Sequence, residues 1–438
     1  MNTLEQLRSG QLIGTKRLKL ACGLTEFPRE IFTLAETLEV LDMTDNHLNT
    51  LPDDFGQLKN LKILFLSNNF FTEVPTVLSH CPKLSMIGFR NNNINTLLED
   101  ALPLSTRWLI LTDNALTKLP KSMGELKYLQ KCMLSGNQLT HLPASMNHCE
   151  NLELLRIAVN AFTELPKMLL ELPKLSWLAY GGNPFCAKHP ACDTPLKELT
   201  WNDLELREVL GEGASGLISK AIYDSKEVAV KVFKGDITSD GLPEEEMDIN
   251  ISMGHHEHLV DVLARVTGHP EGKDVLMLEL IPSSFFNLGL APTLETCSRD
   301  VYPEDFSLTL SQSIKILQGM ADAAVHMHER GIMHGDFYAH NIMIDKEANN
   351  ILGDFGGASY YEPKEVKVRN TLERLEVRAF GCLVEEMLLL SQYDRSDPQR
   401  REKLEALRDD CLNVNNEQRP LFKTIYQRMA SSNNPLRV

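Results

Sequence analysis

Residues His334-Gly335-Asp336-Phe337-Tyr338-Ala339-His340-Asn341, followed thirteen positions later by Asp354-Phe355-Gly356, hold the densest chemistry of the 438-residue chain. Asp336 can accept or orient a hydroxyl proton. Asn341, five positions on, and Asp354 offer hard oxygen ligands suited to Mg²⁺ and, through it, to the phosphates of ATP. The tripeptide Asp-Phe-Gly alone is common by chance; in this order and spacing it is not.

Such a set needs elements that hold it over a phosphate chain. Upstream, Val209-Leu210-Gly211-Glu212-Gly213-Ala214-Ser215-Gly216-Leu217-Ile218 contains G-x-G-x-x-G, a pattern shared with dinucleotide sites, which require a helix straight after the third glycine. Here Leu217–Tyr223 and Glu227–Val232 are two β-rich runs broken at Asp224-Ser225, so the expectation is a hairpin with glycines at its roof. Backbone N–H groups of such a roof can lie over phosphates because no side chains intervene. The strand Val228-Ala229-Val230-Lys231 then carries a lysine placed to pair with phosphate.

With these motifs in family order, and with Cys411 and Arg419-Pro420-Leu421-Phe422 near the end, residues 203–438 resemble the eukaryotic-type protein kinases. The resemblance implies a two-lobed α+β domain that uses ATP and Mg²⁺. It implies that Lys231 pairs the α/β-phosphates and is held by a helix glutamate, either Glu246 or its neighbour Glu245, with Glu246 preferred. Asp336 becomes the catalytic base, and Asn341 and Asp354 the metal ligands. Leu210, Gly211, Gly213, Gly216, Ile218 and Ala229 surround the nucleotide. Leu278 precedes the hinge, where Glu279, Leu280 and Ile281 meet the adenine.

Departures from the family pattern carry information too. The arginine that normally precedes the catalytic Asp, and that reads a phosphorylated activation loop, is Gly335; Ser359, Tyr360, Tyr361 and Thr371 remain modifiable. The phosphoryl-neutralising lysine two positions after the base is Tyr338, a loss that slows transfer unless another cation, such as His340, substitutes. Glu376-Val377-Arg378-Ala379-Phe380-Gly381 looks like the helix that usually begins with Asp, only 22 residues after Asp354 and without Ala-Pro-Glu between. His-Gly-Asp also occurs in small-molecule kinases of the aminoglycoside phosphotransferase type, whereas Asp-Phe-Gly-Gly-Ala-Ser and Arg419-Pro420 favour a protein kinase, with Ser/Thr preferred over Tyr as acceptor. A pseudokinase scaffold and a small-molecule kinase are the alternatives.

The first half is a different object. Leu-x-x-Leu-x-Leu-x-x-Asn-x-Leu-x-x-Leu-Pro recurs almost always at 23 residues, with an asparagine column at Asn46, Asn69, Asn92, Asn114, Asn137, Asn160 and Asn183. Asparagine suits the turn between stacked coils because its side chain bonds free backbone groups. No single unit can bury its leucines, so stacking is obligatory. Residues 1–190 thus resemble the leucine-rich repeat family, an α/β solenoid whose first 37 residues form an irregular cap; as a whole the chain is similar to compact repeat–kinase fusions of bacteria. Alternation along the strands sends Val40, Ile63, Met86, Trp108, Lys131, Leu154 and Trp177 outward on the concave face. Six of these seven are apolar, which marks an interface for a protein partner, with Trp108 and Trp177 as anchors. Coverage by the second domain or by a second copy is the alternative.

Composition agrees with two globular domains. A net charge of −16 argues against nucleic acid or an anionic membrane as partner, since both need a basic footprint. No apolar run is long enough to span a bilayer, and Met1–Arg8 lacks the pattern of a secretion signal. Nine cysteines, an odd number spread over both halves, fit reduced thiols. The expected location is the cytoplasm. Cys186, His189 and Cys192 lack an evident fourth zinc ligand, and His255, His256 and His258 fall in a helix-to-strand loop, where a structural role is expected.

Overall fold

The computed structural model describes residues 2–186, 196–213, 215–235, 237–238, 240–361, 366–392 and 398–432. It divides into two compact units, residues 1–175 with 183–185, and residues 176–182 with 186–438. None of its described helices is long and apolar enough to cross a membrane. The eight described cysteines are free thiols; His189 and Cys192 lie outside the described residues.

In the first unit a short capped helix, α1 (Leu4–Arg8), precedes strands β1 (Arg17–Lys19), β2 (Val40–Asp42), β3 (Ile63–Phe65), β4 (Met86–Gly88), β5 (Trp108–Ile110), β6 (Lys131–Met133) and β7 (Leu154–Arg156). Neighbouring strands pair in parallel and in chain order, so Val40, Ile63, Met86, Trp108, Lys131 and Leu154 stand in one register. The asparagine column explains the stacking. Asn69 Nδ2 donates to Leu66 O in its own coil and to Met43 O in the coil before, while its Oδ1 accepts from Leu48 N at 2.9 Å. Asn137 and Asn160 repeat the pattern, and Asn183 keeps the bonds to Ile157 O and from Phe162 N. Each asparagine thus satisfies turn groups that stacking would otherwise bury unpaired.

The residue before each asparagine takes the left-handed conformation: Asp45, Asn68, Asn91, Asp113, Gly136 and Val159 all have φ between +53° and +69°. Asp, Asn and Gly tolerate it; a β-branched side chain does not. Val159→Asn is therefore expected to stabilise the repeats by about 1 kcal/mol, read as a higher unfolding midpoint in urea.

The second unit contains β8 (Trp177–Ala179), which in sequence is the last repeat strand, and β9 (Lys197–Thr200). Its larger sheet adds β10 (Glu205–Glu212), β11 (Gly216–Tyr223), β12 (Lys226–Phe233), β13 (Val262–Thr267) and β14 (Val275–Leu278), in the order β10-β11-β12-β14-β13-β9. The expected hairpin is β11–β12, closed by Asp224 and Ser225 at φ +48° and +63°, the paired positive angles of a two-residue turn that matches strand twist. One face of the sheet packs Val228, Val230, Ala264, Val266 and Met277 together. The other packs Ala229, Phe233 and Leu278 against Met247 of helix α2 (Pro243–Met253).

The rest of the second unit is mainly helical: α3 (Leu310–Glu329), α4 (Val366–Leu390), α5 (Pro398–Cys411) and α6 (Phe422–Ser432). Short strands β15 (Phe286–Asn287), β16 (Ile332–Met333), β17 (Ile342–Ile344), β18 (Asn350–Leu352) and β19 (Ser359–Tyr360) carry the loops between them. The helix expected to begin at Glu376 starts ten residues earlier, at Val366. No Gly or Pro interrupts residues 366–380, so nothing stops the helix from running back through them. Arg419 is buried and caps carbonyls, with Nε on Asn413 O at 2.7 Å and Nη1 on Arg374 O at 3.1 Å.

The outward column of the repeats is not the exposed apolar face expected. Ile63, Met86 and Leu154 are buried and Val40, Trp108 and Lys131 half-buried, as side chains on strands under 5 Å apart cover one another. The Lys131 ammonium lies 4.4 Å from the centroid of the Trp108 ring. Trp177 belongs to the second unit and is 1% exposed, so it is no anchor for an outside partner in this arrangement.

Candidate active site

Lys231 sits in the middle of β12, facing helix α2, and pairs with Glu246 on that helix. The Glu246 carboxylate is 1% exposed and its Oε2 has no hydrogen-bond partner among the described residues. Glu245, the other candidate, turns the opposite way: its carboxylate accepts from Gly182 N–H, and burial raises its pKa to about 6. Successive helix residues point about 100° apart, so only one of the two can reach the strand.

The glycine loop joins β10 and β11. Gly213 N donates to Gly216 O at 2.9 Å, and Lys234 Nζ reaches Gly213 O at 3.0 Å. A Cβ at Gly216 would lie 2.7 Å from Val232 O, so the backbone approach between the strands requires glycine there. Leu210 is 48% exposed. Ile218 and Leu280 pack beside Ala229 and Leu278, an apolar cluster at the sequence positions expected to meet the adenine. Glu279 is exposed with its N–H on Asp261 O at 2.9 Å, and Ile281 is half-buried after it.

Asp336 follows β16 and Asn341 precedes β17. Asn341 Nδ2 donates to both Asp336 O and Asp336 Oδ2 at 2.9 Å, which leaves the Asn341 amide oxygen as an acceptor. Asp354 has φ +54° and its Oδ1 accepts from Gly356 N at 3.3 Å. Burial raises the Asp354 pKa, and the charges of Glu246, Asp336 and Asp240 raise it further against the opposing pull of Lys231. A group of carboxylates gathered with so little compensating charge favours a hard cation. The donor set of Asn341 and Asp354 therefore fits Mg²⁺.

The loop around Asp336 is held from behind by Glu376. Gly335 N donates to Glu376 Oε1 at 2.7 Å and His334 N to Oε2 at 3.1 Å, while His328 Nε2 lies 2.8 Å from the same Oε2. Burial by itself would raise the Glu376 carboxyl; hydrogen bonding and charge from His328, with His334 and Gly335 N–H, outweigh it and hold the pKa below the usual range. His340 is fixed by Asp300, which takes its N–H at 2.9 Å and its Nδ1 at 2.7 Å. Burial lowers its pKa, but the bond to Asp300 and the charges of Asp300, Asp336 and Asp354 win and raise it.

Asp240, Asp300 and His328 thus join the site without having stood out in the sequence. They lie in no motif, and only the fold brings Asp300 to the catalytic loop and Asp240 beside Asp354 and Gly356. The histidines near residue 256 bond neighbouring protein groups: His255 Nδ1 bonds Asp261 Oδ2 at 2.6 Å and His258 Nδ1 bonds Asn350 O at 3.0 Å. His256 Nε2 lies 3.6 Å from Asp322 Oδ2.

Residues 204–381 match the family model of protein tyrosine and serine/threonine kinases, and residues 36–94 that of leucine-rich repeats. A protein kinase of Acanthamoeba polyphaga mimivirus is 24% identical over 229 residues, 47% of this chain and 39% of that one. The cysteine-rich receptor-like protein kinase 37 of Arabidopsis thaliana is 25% identical over 198 residues, 44% of this chain and 28% of its own. A leucine-rich repeat protein of Leptospira interrogans has a TM-score of 0.35 at 30% identity, covering 41% of this chain and 52% of that one. The chain spans less than two fifths of the length of these two kinases. In domain terms, the chain is a leucine-rich repeat region followed by a protein kinase domain.

Proposed function

We propose that this chain is an ATP- and Mg²⁺-dependent protein kinase that phosphorylates serine or threonine, works in the cytoplasm, and uses its repeats to bind a protein partner. One observation supports this most: Lys231 paired with Glu246, Asp336 bonded to Asn341, and Asp354 in the electrostatic field of both groups. In this reading Asp336 orients the acceptor hydroxyl and takes its proton as that oxygen bonds the γ-phosphorus and the bridging oxygen leaves with ADP. Lys231 steadies the α/β-phosphates, and Ile218, Ala229, Leu278 and Leu280 enclose the adenine. Mg²⁺, held by Asn341 and Asp354, would supply charge neutralisation along the phosphates. Serine or threonine as acceptor is supported by relatives described as serine/threonine-protein kinases, such as one of Dictyostelium discoideum, 29% identical over 156 residues.

The test is phosphate transfer by Lys231→Met beside the parent chain. Loss of one charge-stabilising donor is expected to cost about 10²–10³ in kcat. The unfolding midpoint falls because Glu246 loses its partner. Adding Glu246→Gln restores the midpoint and not the activity. A double variant that recovers transfer would contradict the assigned role of Lys231.

A further inference from the structure

Seven residues ahead of the kinase motifs, Ser176–Gly182, lie within the second unit and touch several of the elements around the site. The Trp177 indole N–H donates to Phe337 O at 3.2 Å, and its ring stacks on Tyr338 with centroids 4.3 Å apart and planes within 6°. Tyr180 N donates to Ser359 Oγ at 3.2 Å, just beyond Asp354-Phe355-Gly356. Gly182 N–H reaches Glu245, the residue beside the lysine-pairing Glu246 on α2. Arg378 of α4 donates to Ser176 Oγ at 2.7 Å. One short segment therefore contacts the catalytic loop, the residues after Asp354, and helices α2 and α4.

Gly335 shows how close this approach is. It has φ +70°, and a Cβ built there would lie 2.3 Å from Gly357 O and 2.7 Å from Leu178 O. Both contacts are with backbone, which cannot swing aside, so no side chain fits before Asp336. An arginine at this position, able to read a phosphate on the segment after Asp354, is excluded by the Leu178 carbonyl as much as by the sequence. Ser359 is itself buried, with its hydroxyl accepting from Tyr180, so it is closed to modification in this arrangement.

We propose that Ser176–Gly182 is a covalently attached brace that holds the catalytic loop, the residues after Asp354 and helix α2 in the transfer-ready arrangement, with Trp177 as its principal positioning residue. The brace takes the place that a phosphorylated activation segment would otherwise fill, so the kinase needs no phosphorylation to be active. Trp177 acts through Phe337 and Tyr338, which flank Asp336 on its C-terminal side. A stacked ring and one hydrogen bond fix that backbone, and small displacements of a catalytic group are costly in rate. The proposal rests on the kinase reading above.

Its test compares full-length parent chain, Trp177→Ala and Trp177→Phe by steady-state transfer and by amide hydrogen exchange, with the parent also measured after phosphatase treatment. In Trp177→Ala, kcat is expected to fall at least about tenfold, with KM for ATP nearly unchanged because Lys231 and Glu246 are untouched. Exchange over residues 334–341 and 357–361 is expected to rise on the order of tenfold. Trp177→Phe, which keeps a stacking ring, recovers most of kcat and of the protection, and phosphatase leaves parental activity intact. Parental kcat or a raised kcat in Trp177→Ala overturns the brace, as does loss of activity on phosphatase treatment. If the parent chain transfers no phosphate, the kinase reading fails by itself. Exchange still decides the brace in that case: faster exchange in Trp177→Ala supports it and unchanged exchange overturns it.

Discussion

Exchanging Asp336 for asparagine is expected to lower phosphate transfer by about 10²–10⁴, the range for removal of a positioned general base. The amide fills the same volume and can still meet Asn341 Nδ2, which donates to Asp336 Oδ2. What it lacks is the ability to take the acceptor proton as the new bond forms. The loss should therefore appear in kcat and spare KM for ATP, because no adenine or phosphate contact changes. Unfolding midpoints of the two chains should agree within a degree or two. A variant that kept a tenth or more of parental kcat would remove Asp336 from the role of base.

The second large effect is on stability. Glu376→Gln is expected to cost about 3 kcal/mol, because two backbone N–H groups and His328 share a carboxylate that the amide only half replaces. His334 N and Gly335 N both point at Glu376 oxygens, and the amide presents one of them with a donor. For a unit of this size the loss lowers the thermal midpoint by roughly 6–12 °C. The pH dependence has a definite sign. Interaction with His328 holds the Glu376 pKa below its unfolded value; the stabilisation is therefore complete above the unfolded pKa, about 4.3, and is lost as pH falls through the folded one. Unfolding curves between pH 7 and pH 3 should show the parent losing its advantage over Glu376→Gln on the acid side. A constant difference across that range would mean that the carboxylate charge does not matter.

Much of this site was legible because its chemistry is local in sequence. Asp336 and Asn341 lie five residues apart, and the β11–β12 hairpin follows from two β-rich runs around Asp224-Ser225. The asparagine column was readable for the same reason: each side chain serves its own turn and the adjacent coil. What escaped is what the fold adds at long range. Alternation in a strand gives the direction of a side chain and says nothing about what covers it, so Trp177 read as exposed when it lies under Tyr338. Gly335 read as a missing cation; the structure gives the steric reason, the backbone carbonyls of residues 357 and 178. Choosing Glu246 over Glu245 needed the helix phase, which a run of three glutamates at residues 244–246 does not set.

The most direct measurement of the central claim is transfer of labelled γ-phosphate from Mg·ATP by the full chain, offered itself, a generic protein substrate and a panel of small hydroxyl compounds. The account predicts label on protein, on serine or threonine, and its disappearance in Asp336→Asn. Label confined to small molecules, or ATP binding with no transfer, would contradict it.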